Sequence, residues 1–122
     1  MAYKNYNSKI LQAAKNPLFE HSVSDPNLNC ELSNISCQDK ISISAKLADG
    51  VVKDVGYQVS GCMLSSGSAE VLAGYLIGKE ESSLSSLSEQ DYLDLIEVEK
   101  ENQRINCFLL PYHCLKNSQK NG

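Results

Sequence analysis

The clearest pattern in the chain is an alternation of apolar and polar residues over positions 41–59. Asp49-Gly50 interrupts it, and this dipeptide favours a two-residue turn between antiparallel strands. The apolar positions are Ile41, Ile43, Ala45 and Leu47 before the turn, and Val51, Val55, Tyr57 and Val59 after it, with Lys53 as the exception. Another short strand is predicted near residues 28–35. These strands would form a sheet with one apolar face that needs a cover.

Apolar stripes at helical spacing predict the elements that cover this face. The first helix spans residues 3–15 and ends before Pro17, because a residue that precedes proline avoids the helical region. The second runs from Leu64 to a cap at Gly78. A third begins at a capped start over Ser88–Asp91. The inner face of the third helix is predicted to carry Tyr92, Leu95 and Ile96.

The remaining segments are predicted to be loops and a last helix. Residues 18–28 are polar and residues 80–87 are rich in serine, so both are predicted to be loops. The last helix is predicted from Cys107 to Asn117. Pro111 lies within this range, and a proline in a helix interior removes a backbone hydrogen bond. We therefore expect a late start, a kink, or a place for Pro111 in the first turn.

The bulk properties of the chain exclude several classes of function. Its 122 residues suit a single domain, 1–122, with a frayed tail from Ser118. The net charge is −4 and no basic run is present, so neither nucleic acid nor an anionic membrane is expected as a partner. The start of the sequence lacks the apolar core of a signal peptide, and no segment has transmembrane length. We expect a cytoplasmic protein.

Five cysteines in a cytoplasmic chain favour metal binding or thiol chemistry over disulfides. Three of them stand out: Cys37, which has Asp39 two residues later; Cys62, which precedes a predicted helix; and Cys107. Thiolate sulfur with a carboxylate oxygen is a ligand set for zinc or for iron–sulfur chemistry. The spacing is too wide for a zinc finger, so the ligands would converge from separate elements. At the predicted helix start, backbone N–H groups would favour a Cys62 thiolate.

Each cysteine also has a simpler interpretation, since a cysteine in a globular domain is most often a small buried apolar residue. Cys30 and Cys114 are assigned to the core on this ground. The two histidines, His21 and His113, are assigned to loops or to the surface, although His113 could approach Cys107 from the same helix. From spacing alone, the reaction remains open.

The motifs taken together resemble the U-type iron–sulfur cluster assembly scaffolds, the family of IscU, SufU and the NifU N-terminal domain. The resemblance runs from Tyr6 to Leu115. The matching stretches are Ile10-Leu11-Gln12-Ala13-Ala14-Lys15-Asn16-Pro17, Asn34-Ile35-Ser36-Cys37-Gln38-Asp39, Gly61-Cys62-Met63-Leu64-Ser65, Gly78-Lys79 and Arg104-Ile105-Asn106-Cys107. Each stretch is weak by itself, whereas their order and separation are specific.

The resemblance implies an α+β fold, in which helices pack on one face of a three-stranded antiparallel sheet. It also implies a site made by Cys37, Asp39, Cys62 and Cys107. Family members accept sulfur from a cysteine desulfurase, and many assemble a [2Fe–2S] cluster and pass it to apoproteins. Members of the SufU type instead hold zinc and relay persulfide sulfur. We expect Cys107 to be the first sulfur acceptor, supported by the charge of Arg104.

The sequence departs from the family pattern at several positions. Gln38 replaces a glycine of the family, and Asn106 stands where IscU-type members carry histidine. The chaperone-binding Leu-Pro-Pro-Val-Lys segment is missing, so chaperone-assisted transfer is not expected. Arg104 favours the SufU type, whereas the short segment between Cys62 and Cys107 favours the IscU type. Three interpretations follow: a cluster scaffold, a zinc-dependent sulfurtransferase, and a structural or interaction protein with a vestigial metal site.

Overall fold

The computed structural model describes residues 8–34 and 39–120, and within these ranges three strands and five helices follow one another. In chain order they are α1 (Ser8–Lys15), β1 (Leu28–Asn34), β2 (Asp39–Ala48), β3 (Val51–Ser60), α2 (Met63–Leu76), α3 (Glu81–Ser86), α4 (Glu89–Ile96) and α5 (Ile105–Lys120). The strands form one antiparallel sheet in the order β1-β2-β3. Tyr6 lies outside the described residues.

The hairpin between β2 and β3 confirms the prediction made from the alternating pattern. Asp49 and Gly50 have φ angles of 57° and 76°, so both central residues of the turn adopt the left-handed conformation. A two-residue turn of this kind matches the natural twist of the flanking strands. Glycine adopts such a conformation without steric cost, which explains its place in the turn.

One part of the alternation was predicted wrongly, because the pairing of β2 with β3 shifts register between Lys46 and Leu47. Lys46 pairs with Asp54 while Leu47 pairs with Val52, so one residue of β3 is left over. An extra residue reverses the faces to which the neighbouring side chains point. Val52 is therefore the buried residue, at 1% exposure, and Val51 is only half-buried.

The apolar face of the sheet is covered by helices, as expected for this α+β architecture. Helix α2 packs against β3, and α5 packs against β1 and β2. The sheet contributes Ile41, Ile43, Ala45, Val55 and Tyr57 to the core, and the two helices contribute Leu64, Leu72, Leu76, Phe108 and Leu115. Helices α2 and α5 also contact each other, so the first residues of the two helices keep a fixed position relative to one another.

Two predictions about α3 and α4 are corrected. Residues 80–87 are not a loop, because α3 forms there around Leu84, which is fully buried. In α4 the residue buried beside Tyr92 is Leu93, and Leu95 is only partly buried. Burial against neighbouring elements outweighs the weak helix propensity of a serine-rich segment.

Helix α5 begins at Ile105, earlier than predicted, and continues through Pro111 to Lys120. A late start and a first-turn position for Pro111 are therefore both wrong. Proline has no N–H for the carbonyl of Cys107, four residues earlier. Side chains from other helices donate near this point: the hydroxyl of Ser65 approaches the Cys107 carbonyl, and the hydroxyl of Tyr92 donates to the carbonyl of Phe108.

A buried carboxylate attaches the irregular segment after α1 to the core. Glu70 on α2 accepts hydrogen bonds from the backbone N–H groups of Leu18 at 2.8 Å and Phe19 at 3.1 Å, and from the Tyr57 hydroxyl at 2.9 Å. Burial and this carboxylate raise the pKa of Tyr57, so its hydroxyl stays a donor. In the described part of the chain, no helix combines the length and apolar character needed to cross a bilayer.

Candidate metal centre

Asp39, Cys62 and Cys107 lie together at one end of the fold. One carboxylate oxygen and the two sulfurs are all within 4.8 Å of one another, and within residues 8–34 and 39–120 this is the group of acidic, histidine and cysteine residues that could hold a metal. The three residues come from the start of β2, the start of α2 and the first turn of α5. The structure therefore brings together three of the four residues that the sequence singled out.

The fourth residue, Cys37, lies outside the described residues, as does Gln38. Asp39 is the next described residue and opens β2, where it pairs with Asn34 on β1. Cys37 is thus two positions along the chain from a residue of the group.

The Asp39 carboxylate is buried, at 3% exposure, and two donors from the described part of the chain hold it. Its Oδ1 accepts from the backbone N–H of Cys62 at 3.0 Å, and its Oδ2 accepts from the hydroxyl of Ser65 at 2.8 Å. Hydrogen bonds to a carboxylate are stronger than those between neutral groups, and here they orient both oxygens. The carboxylate is therefore directed towards the start of α2 before any metal binds.

Gly61 makes this close approach possible. Its φ of +134° lies in a region that residues other than glycine rarely adopt, and a Cβ built there would lie 2.2 Å from Asp39 Oδ1. The glycine in front of Cys62 is therefore required by the backbone and by the carboxylate that packs against it. The sequence motif contained this residue, but the pattern alone did not indicate what it contacts.

Cys62 is the N-cap residue of α2, and its Sγ accepts a hydrogen bond from the backbone N–H of Leu64 at 3.3 Å. This is the contact that the sequence predicted would favour a thiolate. Burial opposes it and is the larger effect, with further opposition from Cys107 and Asp39, so that the pKa of Cys62 is raised. Among the described residues, the Leu64 N–H and Arg104 lower it. Metal binding at this site must therefore displace a proton from Cys62.

Cys107 is fully buried in the first turn of α5, and Ser65 joins it to Asp39. The Ser65 Oγ lies 2.8 Å from Asp39 Oδ2 and 3.1 Å from the Cys107 carbonyl oxygen. A hydroxyl has a single proton, so the two acceptors share one donor. Because Pro111 cannot donate to this carbonyl, Ser65 takes the place of the missing N–H.

Arg104 lies against both sulfurs of the group. One guanidinium nitrogen, Nη2, is 3.6 Å from Cys62 Sγ and 3.8 Å from Cys107 Sγ. The side chain is half-buried, and its charge faces the two sulfurs. A guanidinium in this position can stabilise negative charge on either sulfur.

The structure does not bring the other candidate residues to this group. Cys30 and Cys114 lie against each other on β1 and α5. His21 contacts Asp54, and His113 is exposed beside the ring of Tyr112. Cys30 and Cys114 were assigned to the core, and Cys114 is indeed fully buried while Cys30 is partly so.

Sequence reasoning missed the role of Ser65, which it named only as the last residue of the stretch from Gly61 that resembles the family. The available signal was its place three residues after the N-cap, because residues at that position of a helix face back towards the cap. The described donor set contains two sulfurs and one carboxylate oxygen, which suits zinc or iron. The residues present therefore fit a metal ion or cluster that is bound mainly by thiolates, with one oxygen ligand.

Comparison with known proteins places this arrangement in context. The family model described as the NifU-like N terminal domain matches residues 5–121. The chain is 29% identical to the iron–sulfur cluster assembly scaffold protein IscU of Thermotoga maritima, covering 94% of this chain and 92% of the relative. It is 26% identical to the zinc-dependent sulfurtransferase SufU of Bacillus subtilis, covering 91% and 86%.

A solved structure shows the same fold. A candidate iron–sulfur cluster assembly scaffold of the SUF system from Fervidobacterium islandicum superposes with a TM-score of 0.79 at 21% identity, covering 97% of this chain and 98% of the other.

Proposed function

The chain belongs to the family of NifU-like N-terminal domains, and from that premise we propose that it is an iron–sulfur cluster assembly scaffold. It receives sulfur from a cysteine desulfurase, holds iron and sulfide while a [2Fe–2S] cluster forms, and passes the cluster to recipient apoproteins. The observation that carries the proposal is the convergence of Asp39, Cys62 and Cys107 within 4.8 Å. Similarity to an IscU scaffold along most of both chains supports it.

The ligands in this proposal are Cys37, Asp39, Cys62 and Cys107. Cys37 is included because residues two apart in an extended segment point to the same side, which would direct its sulfur towards the group that contains Asp39. Three thiolates bind iron firmly, and the carboxylate is a weaker and more exchangeable ligand. A cluster held in this way is stable enough to assemble and labile enough to leave. The chemistry requires reduced thiols, so we place the protein in the cytoplasm.

Anaerobic reconstitution with ferrous iron and sulfide tests the scaffold. The wild-type protein should develop visible absorption bands of a [2Fe–2S] cluster, with iron and sulfide in equal amounts. Cys62→Ser and Cys107→Ser should each lose most of this cluster. Cys114→Ser is the matched control, because Cys114 is a buried cysteine on the same helix as Cys107 but lies outside the group.

The control must retain the cluster for the assignment to hold. Comparable loss in Cys114→Ser and Cys107→Ser, with both variants folded by circular dichroism, would contradict the ligand set. A wild-type protein that binds zinc tightly but builds no cluster would exclude the scaffold and favour the second candidate. A protein that binds neither metal would favour the vestigial site.

The second candidate function is a zinc-dependent sulfurtransferase, and the contact of Arg104 with both sulfurs favours it. In this function the same residues would hold zinc, which when bound keeps thiolates deprotonated and ready to react. A thiolate then attacks the outer sulfur of a desulfurase persulfide, and the desulfurase thiolate leaves. We propose Cys107 as the acceptor, and uptake there requires a local movement of the fold because the Cys107 thiol is buried.

Persulfide trapping after incubation with a cysteine desulfurase and cysteine tests the acceptor. Arg104→Ala should reduce persulfide on Cys107 by roughly tenfold, since it removes the charge that stabilises the sulfur, while zinc content falls less. Arg104→Lys is the matched control, because it keeps the charge and loses the fork geometry. Sulfur found by mass spectrometry on Cys62 or Cys37 but never on Cys107 would remove Cys107 from the acceptor role.

A further inference from the structure

A second pair of thiols lies away from the metal centre, at the contact between β1 and α5. The Sγ atoms of Cys30 and Cys114 are 2.7 Å apart. A disulfide bond is 2.03–2.05 Å long, so the bond requires only a small approach of the two sulfurs. Neither residue belongs to the group formed by Asp39, Cys62 and Cys107.

The surrounding backbone holds the pair in this arrangement. Cys30 lies opposite Ile43 in the pairing of β1 with β2. The backbone of the same Ile43 hydrogen-bonds to the sulfur of Cys114. Helix α5 packs closely on β1 through its buried side. Both thiols are therefore positioned against one point of the sheet rather than meeting through flexible side chains.

The two thiols differ in access and in acidity. Cys30 is partly exposed, whereas Cys114 is fully buried. The hydrogen bond with Cys30 raises the pKa of the Cys114 thiol, and burial raises it further. A reagent from solution therefore reaches Cys30 first, and Cys114 is protected until its neighbour has reacted.

We propose that Cys30 and Cys114 form a reversible redox site that is oxidised by low-molecular-weight disulfides. Cys30 loses its proton, and its thiolate attacks one sulfur of the small disulfide. A mixed disulfide forms, and the released small thiolate takes up that proton. The Cys114 sulfur then attacks Cys30 Sγ, a second small thiolate leaves, and the Cys114 proton passes to it. Two protein thiols are oxidised, and one small disulfide is reduced to two thiols.

The new bond would link two elements that also lead to the metal centre. Strand β1 carries Cys30 and ends at Asn34, which pairs with Asp39. Helix α5 carries Cys114 two turns after Cys107. The disulfide would join the edge strand of the sheet to this helix. Disulfides of cytoplasmic proteins are mostly transient and sense redox state, which fits a pair placed at such a junction.

Oxidation of the full-length chain by glutathione disulfide tests the proposal. The protein is incubated anaerobically with excess glutathione disulfide, the remaining thiols are blocked with N-ethylmaleimide, and the unreduced peptides are mapped by mass spectrometry. In the wild type we expect a peptide pair joined through Cys30 and Cys114 that disappears on treatment with dithiothreitol. The thermal midpoint should rise by roughly 10 °C in the oxidised form, because the bond closes a long loop.

Two single variants separate the steps. Cys114→Ser should stop at a glutathione adduct on Cys30, because the second thiol is absent. Cys30→Ser should leave Cys114 without a glutathione adduct, because the Cys114 thiol is buried. Cys30 is partly exposed, so this variant still tests the proposal if Cys114→Ser folds poorly. Three results with the wild type would overturn the proposal. Both thiols could carry N-ethylmaleimide, Cys30 could retain glutathione, or either thiol could be joined to Cys37, Cys62 or Cys107 instead.

Discussion

At the scale of single residues, the metal centre depends on positions that are not ligands themselves. Gly61 leaves room for the Asp39 carboxylate, and Ser65 donates to it. The Cys62 N–H completes the set of donors. Gly61 and the Ser65 hydroxyl thus set the orientation of the carboxylate. A substitution at either residue should change the metal affinity.

The substitution Gly61→Ala tests the space in front of the carboxylate. The added Cβ would lie 2.2 Å from Asp39 Oδ1, so the carboxylate must move, and zinc affinity should fall by at least about tenfold while the fold persists. Gly50→Ala is the matched control, because its φ of +76° is also unfavourable for alanine but nothing lies within 4 Å. Both variants should lose about 1–2 kcal/mol of stability. Equal zinc affinities, measured by competition with a chelator, would contradict this role for Gly61.

At the scale of elements, the sequence predicted the strands and α1, α2 and α4 because their patterns are local. Alternation, the Asp49-Gly50 turn and the Ser88 cap are each legible within a few residues, and Ser88 does accept from the N–H of Asp91. Helix α3 could not be predicted, since it is stabilised by contacts that exist only in the finished fold, such as the burial of Leu84 and the hydrogen bond of Lys116 to its carbonyl. The register shift at Lys46 is likewise a property of two strands together.

For the candidate site, the sequence likewise indicated the residue types but not the contacts between distant residues. Its cysteines and Asp39 were visible as residue types, and their order matched a family. Their convergence could not be derived from spacing, because it depends on how α2 and α5 pack on the sheet. The contact of Ser65 with both Asp39 and Cys107 depends on the same packing.

A double-mutant cycle tests the link between α2 and the proline in α5. Ser65→Ala removes the donor shared by Asp39 and the Cys107 carbonyl, and should cost about 1–3 kcal/mol in the free energy of unfolding. Pro111→Ala supplies an N–H for that carbonyl. Ser65→Ala should therefore cost at least about 0.5 kcal/mol less in the Pro111→Ala background. Ser86→Ala is the control, since its hydroxyl donates to the Ser83 carbonyl within α3. Additive effects for Ser65 and Pro111 in urea unfolding would refute the link.

At the scale of the whole molecule, Glu70 connects parts of the chain that are distant in sequence. It lies on α2 and accepts from the segment after α1 and from Tyr57 on β3. Helix α2, whose N-cap is Cys62, is therefore also fixed near its middle. Displacement of this helix would disturb the sheet, the first segment and the metal centre together.

Two substitutions measure the contribution of Glu70. Tyr57→Phe removes one donor and leaves the two backbone N–H groups paired, so it should cost about 1–2 kcal/mol. Glu70→Ala leaves the N–H groups of Leu18 and Phe19 and the Tyr57 hydroxyl without their acceptor, and should cost about 3–5 kcal/mol. Urea unfolding followed by circular dichroism gives both values. A Glu70→Ala variant no less stable than Tyr57→Phe would show that the carboxylate does not hold the segment.

The convergence of β2, α2 and α5 at the metal centre also has a consequence for the order of folding. The hairpin of β2 and β3 closes through a two-residue turn and can form within microseconds. Asp39 and Cys107 come together only when the last helix docks on a sheet made much earlier in the chain, and contacts of such long range form slowly. The refolding protein should therefore gain its strands first and its ability to capture metal last. A nascent chain cannot complete the site until its final helix is available.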